Sequence, residues 1–281
     1  MQGKTVVVTG ATSGIGEVAA MKLAAMGARI VFVARDAGRA QATLAALERV
    51  APGGGHRFLT AELSLMAEAR RVGETIAASE PRVDVLVNNA GAMFSSRRVT
   101  VEGLEMTFAL NHMAYFALTL ALRGRLVASA PARIVSTASA AHAGARLDFD
   151  DLQCARDYNG QRAYRRSKLA NILFTRELAR RLAGTGVVAN CLHPGFVASR
   201  FGDEAGGWLG WAFAVAKRCA AISPEQGADT LVFLASAPEA ADVSGEYFVK
   251  RKAAKPSAAA RDAAAGEILW DRSELFAERV A

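Results

Sequence analysis

Thr5-Val6-Val7-Val8-Thr9 runs directly into Gly10-Ala11-Thr12-Ser13-Gly14-Ile15-Gly16, and this succession restricts the fold more than any other stretch of the chain. A short β-branched run is the mark of a strand buried on both faces in a parallel sheet. The glycine-rich turn opens a helical stretch over residues 17–26, which closes at Gly27. Strand, turn and helix start together form an entry for a dinucleotide. Glycines allow a tight turn and close backbone approach. The helix N-terminus offers free N–H groups and the positive end of its dipole to a pyrophosphate. The spacing is Gly-x-x-x-Gly-x-Gly rather than Gly-x-Gly-x-x-Gly. A glycine-rich loop with no ligand is the alternative, and the placement between strand and helix argues against it.

The rest of the chain repeats the alternation. Strand patterns fall at residues 29–34, 56–61, 83–87, 133–137, 187–192 and 247–249. Helical patterns fall at 38–50, from a cap at Ser64 to Ser79, from Thr100 to about Leu122, and over 164–182. Another helix opens at Ser223-Pro224-Glu225 with a cap and an N1 proline. A polar tail follows Lys250, with a peripheral helix over 258–276. No linker and no internal repeat divides the chain. The expected fold is α/β: one Rossmann-type domain over 1–281, a doubly wound parallel sheet of about seven strands with helices on both faces.

Hydrophobic residues make up 52% and charged residues 22%, the proportions of a soluble globule. The longest apolar stretches, around 114–122 and 208–216, are too short to span a bilayer, and no signal-peptide succession precedes the first strand. Cys154, Cys191 and Cys219 are odd in number and widely spaced. They fit a reducing, cytoplasmic setting and carry no metal-ligand spacing. The net charge of +7 is scattered, with short pairs such as Arg70-Arg71 and Arg97-Arg98 and no basic run interleaved with aromatics. Nucleic acid is therefore not the expected partner; a phosphate-rich small ligand accounts for some of the charge more simply.

Chemistry concentrates at Tyr164-Arg165-Arg166-Ser167-Lys168. Residues four apart on a helix share a face, so the phenol and the ammonium point the same way. A cation beside a tyrosine favours the phenolate, lowers its pKa and suits it to exchange a proton with an alcohol or carbonyl oxygen. Taken alone, the pair could equally be a helix-surface contact. Ser139 stands just past the carboxyl end of the fifth strand, the edge where parallel sheets bind ligands. Asn111 sits inside a helical pattern that it does not favour, so either function or neighbouring backbone uses its amide. At the end of the second strand Arg35 suits a 2′-phosphate and leans the reading toward NADP over NAD; Asp36 could instead hold a ribose hydroxyl or cap the next helix. The acids of Asp148-Phe149-Asp150-Asp151 read as a solvated loop rather than a metal site. His193, beside Pro194-Gly195, reads as a backbone-positioning residue. Residues 196–222, with Trp208, Leu209, Trp211 and Phe213, read equally as a lid over a lipophilic pocket or as an ordinary packed helix.

These residues in this order resemble the short-chain dehydrogenase/reductases: 9–16, 88–91, Asn111, Ser139, Tyr164 with Lys168, and Pro194-Gly195. Closer stretches are similar to the retinol dehydrogenase and WW-domain oxidoreductase branch. They are Asn111-His112, Asp148 to Leu152, Ala163-Tyr164 with Ser167 to Asn171, His193-Pro194-Gly195, Ser223 to Ala228, Ser244 to Phe248 and Lys255-Pro256-Ser257. The chain departs from the branch in having no N-terminal membrane anchor and no WW modules. The resemblance implies NADP(H)-linked interconversion of an alcohol and a carbonyl, with a lipophilic small-molecule substrate and possible homo-oligomers. It assigns Tyr164 as general acid/base and Lys168 as its partner and ribose ligand. Ser139 would hold the substrate oxygen, and Asn111 would position a water behind Lys168. It assigns the cofactor to Gly10, Thr12, Ser13, Gly14, Ile15, Gly16, Arg35, Glu62, Leu63, Asn89, Ala90, Gly91, Tyr164, Lys168, Pro194, Gly195, Val197 and Ser199. Glu62 replaces the usual Asp beside the adenine, and Ala138 stands where the branch often has a second serine. A cofactor-sensing scaffold that keeps the fold without catalysis is the alternative; all four catalytic positions are filled, which argues against it.

Overall fold

The computed structural model describes residues 1–195 and 222–279. Eight strands form one sheet: β1 (Thr5–Thr9), β2 (Arg29–Ala34), β3 (Arg57–Thr60), β4 (Val85–Asn88), β5 (Ala132–Thr137), β6 (Val187–His193), β7 (Tyr247–Val249) and β8 (Lys252–Ala253). Their order is β3-β2-β1-β4-β5-β6-β7-β8. Every neighbouring pair through β7 is parallel, and β8 is antiparallel to β7.

Period-two alternation sends the two faces of the sheet into separate cores. Val7, Val31, Val33, Leu86 and Ile134 join one cluster, and Val6, Val8, Ile30, Phe32, Val85, Val87 and Val135 join the other. The first face is covered by α3 (Met66–Ser79), α4 (Ala114–Ala128), α5 (Gly160–Arg181) and α7 (Ala263–Glu278). The second is covered by α1 (Gly14–Ala25), α2 (Ala37–Val50) and α6 (Asp229–Ser236). The alternating α/β expectation holds, with four differences that have physical causes.

The polar tail expected after Lys250 begins as the eighth strand. Lys250 and Arg251 take φ +50° and +62°, a left-handed pair that returns the chain onto β7. Such pairs usually read as Asn-Gly or Asp-Gly, so the sequence carries no hairpin signal. What holds the turn is tertiary: Arg251 N donates to Thr230 Oγ1 at 3.1 Å, and its guanidinium pairs with Asp229.

The cap expected at Ser64 is absent. Ser64 bonds Glu62 instead, and α3 is capped from a distance by Glu102, whose carboxylate accepts from Met66 N at 2.6 Å and Ala67 N at 3.0 Å.

The helix expected from Thr100 starts later, at Met106–Phe108, and passes through a π-helical turn, Ala109–Met113, before α4. The expected C-terminal helix divides into a short turn, Ala259–Arg261, and α7, which buries Leu269, Trp270 and Ser273 rather than lying at the periphery.

Candidate active site

The strand order reverses between β1 and β4, and their carboxyl ends open a crevice there, the place where doubly wound sheets bind ligands. Asn89 latches the crevice. Its N–H donates to Thr9 Oγ1 at 2.9 Å, its Nδ2 reaches Thr9 O at 3.2 Å and Gly10 O at 3.4 Å, and its Oδ1 accepts from Thr137 Oγ1 at 3.1 Å. Ala90 N also donates to Thr9 Oγ1, at 3.0 Å. Gly10 turns at φ +70°. A Cβ on Gly16 would fall 2.2 Å from Gly10 O and 2.4 Å from Asn89 Nδ2, so only glycine lets α1 approach this closely.

Ser13, at the start of α1, makes no side-chain cap, whereas α2, α5 and α7 are capped by Asp36, Asn159 and Asp262. The first amides of α1 therefore remain available to an anion, and Thr12, Ser13, Gly14 and Ile15 are partly exposed beside them. A glycine-rich turn before an uncapped helix N-terminus fits the diphosphate of a dinucleotide.

Beside this cradle, Arg35 is exposed at the end of β2, with Nη1 3.7 Å from Glu62 Oε2. Glu62 Oε1 accepts from Ser64 N and Oγ at 3.0 and 2.8 Å, and Leu63 is buried between them. Of the uses open to Asp36, the structure shows the cap: Oδ1 accepts from Arg39 N at 2.8 Å.

Tyr164 and Lys168 share one face of α5, with Nζ 5.6 Å from the Tyr164 ring centroid and 6.0 Å from that of Tyr115. Nζ donates to Thr137 O at 3.1 Å, and Asn171 Nδ2 donates to the same carbonyl at 3.1 Å. Ser139 leaves β5 in an extended conformation, its Oγ accepts from Ala141 N at 3.2 Å, and its hydroxyl is near enough to the Tyr164 phenol to pull the phenol's pKa down. Asn111 lies in the π-helical turn and pairs both ways with Ala92: Oδ1 accepts from N, and Nδ2 donates to O, each at 2.9 Å. Nδ2 also donates to Ser167 Oγ at 2.9 Å. Neighbouring backbone is thus one use of this amide, and its widened turn matches the frequent place of π-bulges at functional sites. A Cβ on Gly91 would lie 3.0 Å from Asn111 Oδ1 and 3.5 Å from Lys168 Nζ, which places both groups against the same glycine.

The electrostatics differ from the sequence expectation. Burial pushes the Tyr164 phenol up to about 12, with the Ser139 hydroxyl pulling partly back, and burial pushes Lys168 down to about 7. Desolvation dominates both groups, and the lowered phenol pKa expected from a neighbouring cation is not what the site shows. At neutral pH the phenol keeps its proton.

Asn111, Ser139, Tyr164 and Lys168 thus converge at the carboxyl edge of β4 and β5. Pro194 and Gly195 follow β6, and Gly195 turns at φ +93°. Val197, Ser199, the expected lid (apart from Ile222) and Cys219 lie outside the described residues. The loop acids bond their own backbone: Asp151 accepts from Ala155 N at 2.7 Å and Arg156 N at 3.2 Å. Among the described residues no group of His, Cys, Asp and Glu is placed to hold a metal, and no helix is long and apolar enough to cross a membrane.

Sequence reading missed several supports. Tyr115 is fully buried with its hydroxyl unpartnered among the described residues, Asn171 shares Thr137 O with Lys168, and His112 and His142 are buried beside Asn111 and Ser139. Spacing offered one clue: Tyr115 and Asn111 are one turn apart, as are Asn171 and Lys168.

The short chain dehydrogenase family model matches residues 4–209. Human retinol dehydrogenase 14 is 40% identical over 298 residues, an alignment covering 98% of this chain and 87% of that protein. Among solved structures, an uncharacterized protein from Mycobacterium paratuberculosis has a TM-score of 0.79 at 31% identity, covering 99% of this chain and 94% of that one. A short chain dehydrogenase from Burkholderia cenocepacia, solved with NADP, has a TM-score of 0.69 at 27% identity, covering 93% and 99%. The fold and the converging side chains define a dinucleotide-dependent oxidoreductase. The chain belongs to the short-chain dehydrogenase/reductase family, with retinol dehydrogenases among its relatives.

Proposed function

We propose that this protein is an NADP(H)-dependent oxidoreductase that interconverts an alcohol and a carbonyl on a lipophilic small molecule. The observation that carries the reading is the convergence of four side chains: Lys168 Nζ lies 5.6 Å from the Tyr164 ring, Lys168 and Asn111 stand against Gly91, and Ser139 stands just past the end of β5. Gly10, Gly14 and Gly16 would hold the diphosphate against the open end of α1, and Arg35 would meet a 2′-phosphate. Commitment of Asp36 to the α2 cap supports NADP(H), because it takes the competing carboxylate away from a ribose diol. The NADP-bound relative points the same way, and the name of the retinol dehydrogenase relative supports a lipophilic alcohol or aldehyde.

What a bound nicotinamide supplies is the hydride. In the reductive direction Ser139 and Tyr164 both donate hydrogen bonds to the carbonyl oxygen. As negative charge develops on that oxygen, the phenol proton passes to it and leaves a phenolate. Lys168 stabilises the phenolate, and Asn111 keeps the loop at Ala92 and the helix at Ser167 in register. In the oxidative direction the phenolate takes the alcohol proton. A phenol that is protonated at neutral pH favours carbonyl reduction as the first assay. Tyr164→Phe removes the proton donor without altering packing at the ring, so turnover should vanish while NADPH still binds; full turnover in that variant would refute the mechanism.

A further inference from the structure

We propose that His142 is a positioning residue whose neutral imidazole ties the C-terminal segment to the catalytic serine. The proposal rests on the reading that Ser139 holds the substrate oxygen. Ser139 O is 2.7 Å from His142 Nδ1 and also accepts the His142 backbone N–H at 3.2 Å. On the far side of the ring, Ser257 N donates to Nε2 at 3.1 Å. A backbone carbonyl can only accept and a backbone N–H can only donate. The ring must therefore be neutral, with its proton on Nδ1. The ring is 4% exposed and stands edge-on to Tyr247, with centroids 5.1 Å apart.

Three segments thus meet at one imidazole: the turn after β5, β7, and the stretch leading into α7. The orientation of the Ser139 peptide depends on all three. The same C-terminal segment reaches the catalytic region a second time, where His112, next to Asn111, lies with Nε2 2.9 Å from Ser273 Oγ. The family match ends at residue 209, so Ser257 and Ser273 belong to the part of the chain beyond it.

A second proton on the ring would set an Nε2–H against the Ser257 N–H and break the tie. The charged and titratable groups around the ring are His193 on β6, Tyr247 on β7 and Arg165 on α5, whose guanidinium donates to Ala141 O and Ala143 O. Tyr164 acts through Ser139. Burial lowers the His142 pKa below 6.5, with the bond to Ser139 opposing it. The tie is therefore complete above about pH 6.5 and is lost as the pH falls through the lowered value.

The test uses the full chain, NADPH and a carbonyl substrate. His142→Ala should lower kcat roughly 10- to 100-fold with the NADPH Kd unchanged, because it displaces an oxygen-holding group without touching the cofactor cradle. His142→Gln, which keeps an acceptor for Ser257, should recover part of the loss. Ser257→Pro removes the same bond from the other side and should match His142→Ala, and the double variant should be no worse than either single one. Unchanged kcat in His142→Ala, or losses that multiply in the double variant, would overturn the proposal. If Ser257→Pro does not fold, the comparison of His142→Ala with His142→Gln decides. NMR of the imidazole nitrogens separates this proposal from the functional reading: a wild-type protein with no turnover contradicts that reading, whereas a proton found on Nε2 overturns the tie.

Discussion

Lys168 is a residue whose placement works against the stability of the fold. The residue is 3% exposed, and burial pushes its pKa down to about 7. A lowered lysine pKa means that the unfolded chain binds the proton more tightly. The resulting destabilisation closes above the ordinary value near 10.4 and is fully developed once the pH falls below about 7. Lys168→Met should therefore raise Tm by a few degrees at about pH 6, with the gain shrinking toward about pH 10, while turnover is lost. Thr137 O keeps the Asn171 Nδ2 donor, so the substitution leaves no orphaned carbonyl. A lower Tm at about pH 6 would show that the lysine contributes more through its hydrogen bond than it costs by burial. At the other end of the crevice, Arg35→Ala should weaken NADPH binding roughly 10- to 100-fold, the worth of a charge-assisted hydrogen bond, and leave NADH binding nearly unchanged. Equal losses for the two nucleotides would remove Arg35 as the phosphate reader.

At the scale of elements, helix caps divide what the sequence shows from what it does not. The Asp36 cap is legible because donor and acceptor are three residues apart. The Glu102 cap on α3 is not, because Glu102 lies 36 residues beyond Met66 and only the tertiary fold brings them together. Glu102→Ala should cost about 1 kcal/mol of stability, readable in urea unfolding with an unchanged m-value. No loss would mean that water replaces the carboxylate at that helix end. The π-helical turn is a similar case: Asn111 marks the helix as unusual, but the register of Ala109–Met113 is set by the loop at Ala92, which pairs with the amide. The β7–β8 hairpin is illegible for a different reason, since Lys250 and Arg251 are held left-handed by Asp229 and Thr230 rather than by their own preference.

Across the whole molecule, the alternation of strands and helices was legible because each parallel strand must be apolar on both faces. The first two strands match their patterns at both ends, as does β7. The convergence of Ser139 and Tyr164, with 24 positions between them, follows from topology, because β5 ends where α5 begins its return along the sheet. The histidine ties to the C-terminal segment were not legible, since they depend on side-chain placement across the sheet edge. Asn89, just past β4, latches the turn after β1 that is proposed to take the diphosphate, so a dinucleotide should hold both halves of the sheet in place. At about 100 times its Kd, NADPH should raise Tm by roughly 5–10 °C, and NADH at the same concentration by less. Equal shifts would place the discrimination elsewhere than Arg35.

The most direct test follows NADPH absorbance during mixing with a set of lipophilic aldehydes and ketones, for the wild-type protein and for Tyr164→Phe. Oxidation of NADPH by the wild type, with a rate roughly 100- to 10,000-fold lower in the variant at unchanged NADPH affinity, is the predicted result. Equal rates in the two proteins would contradict Tyr164 as the proton donor and with it the proposed chemistry of the site.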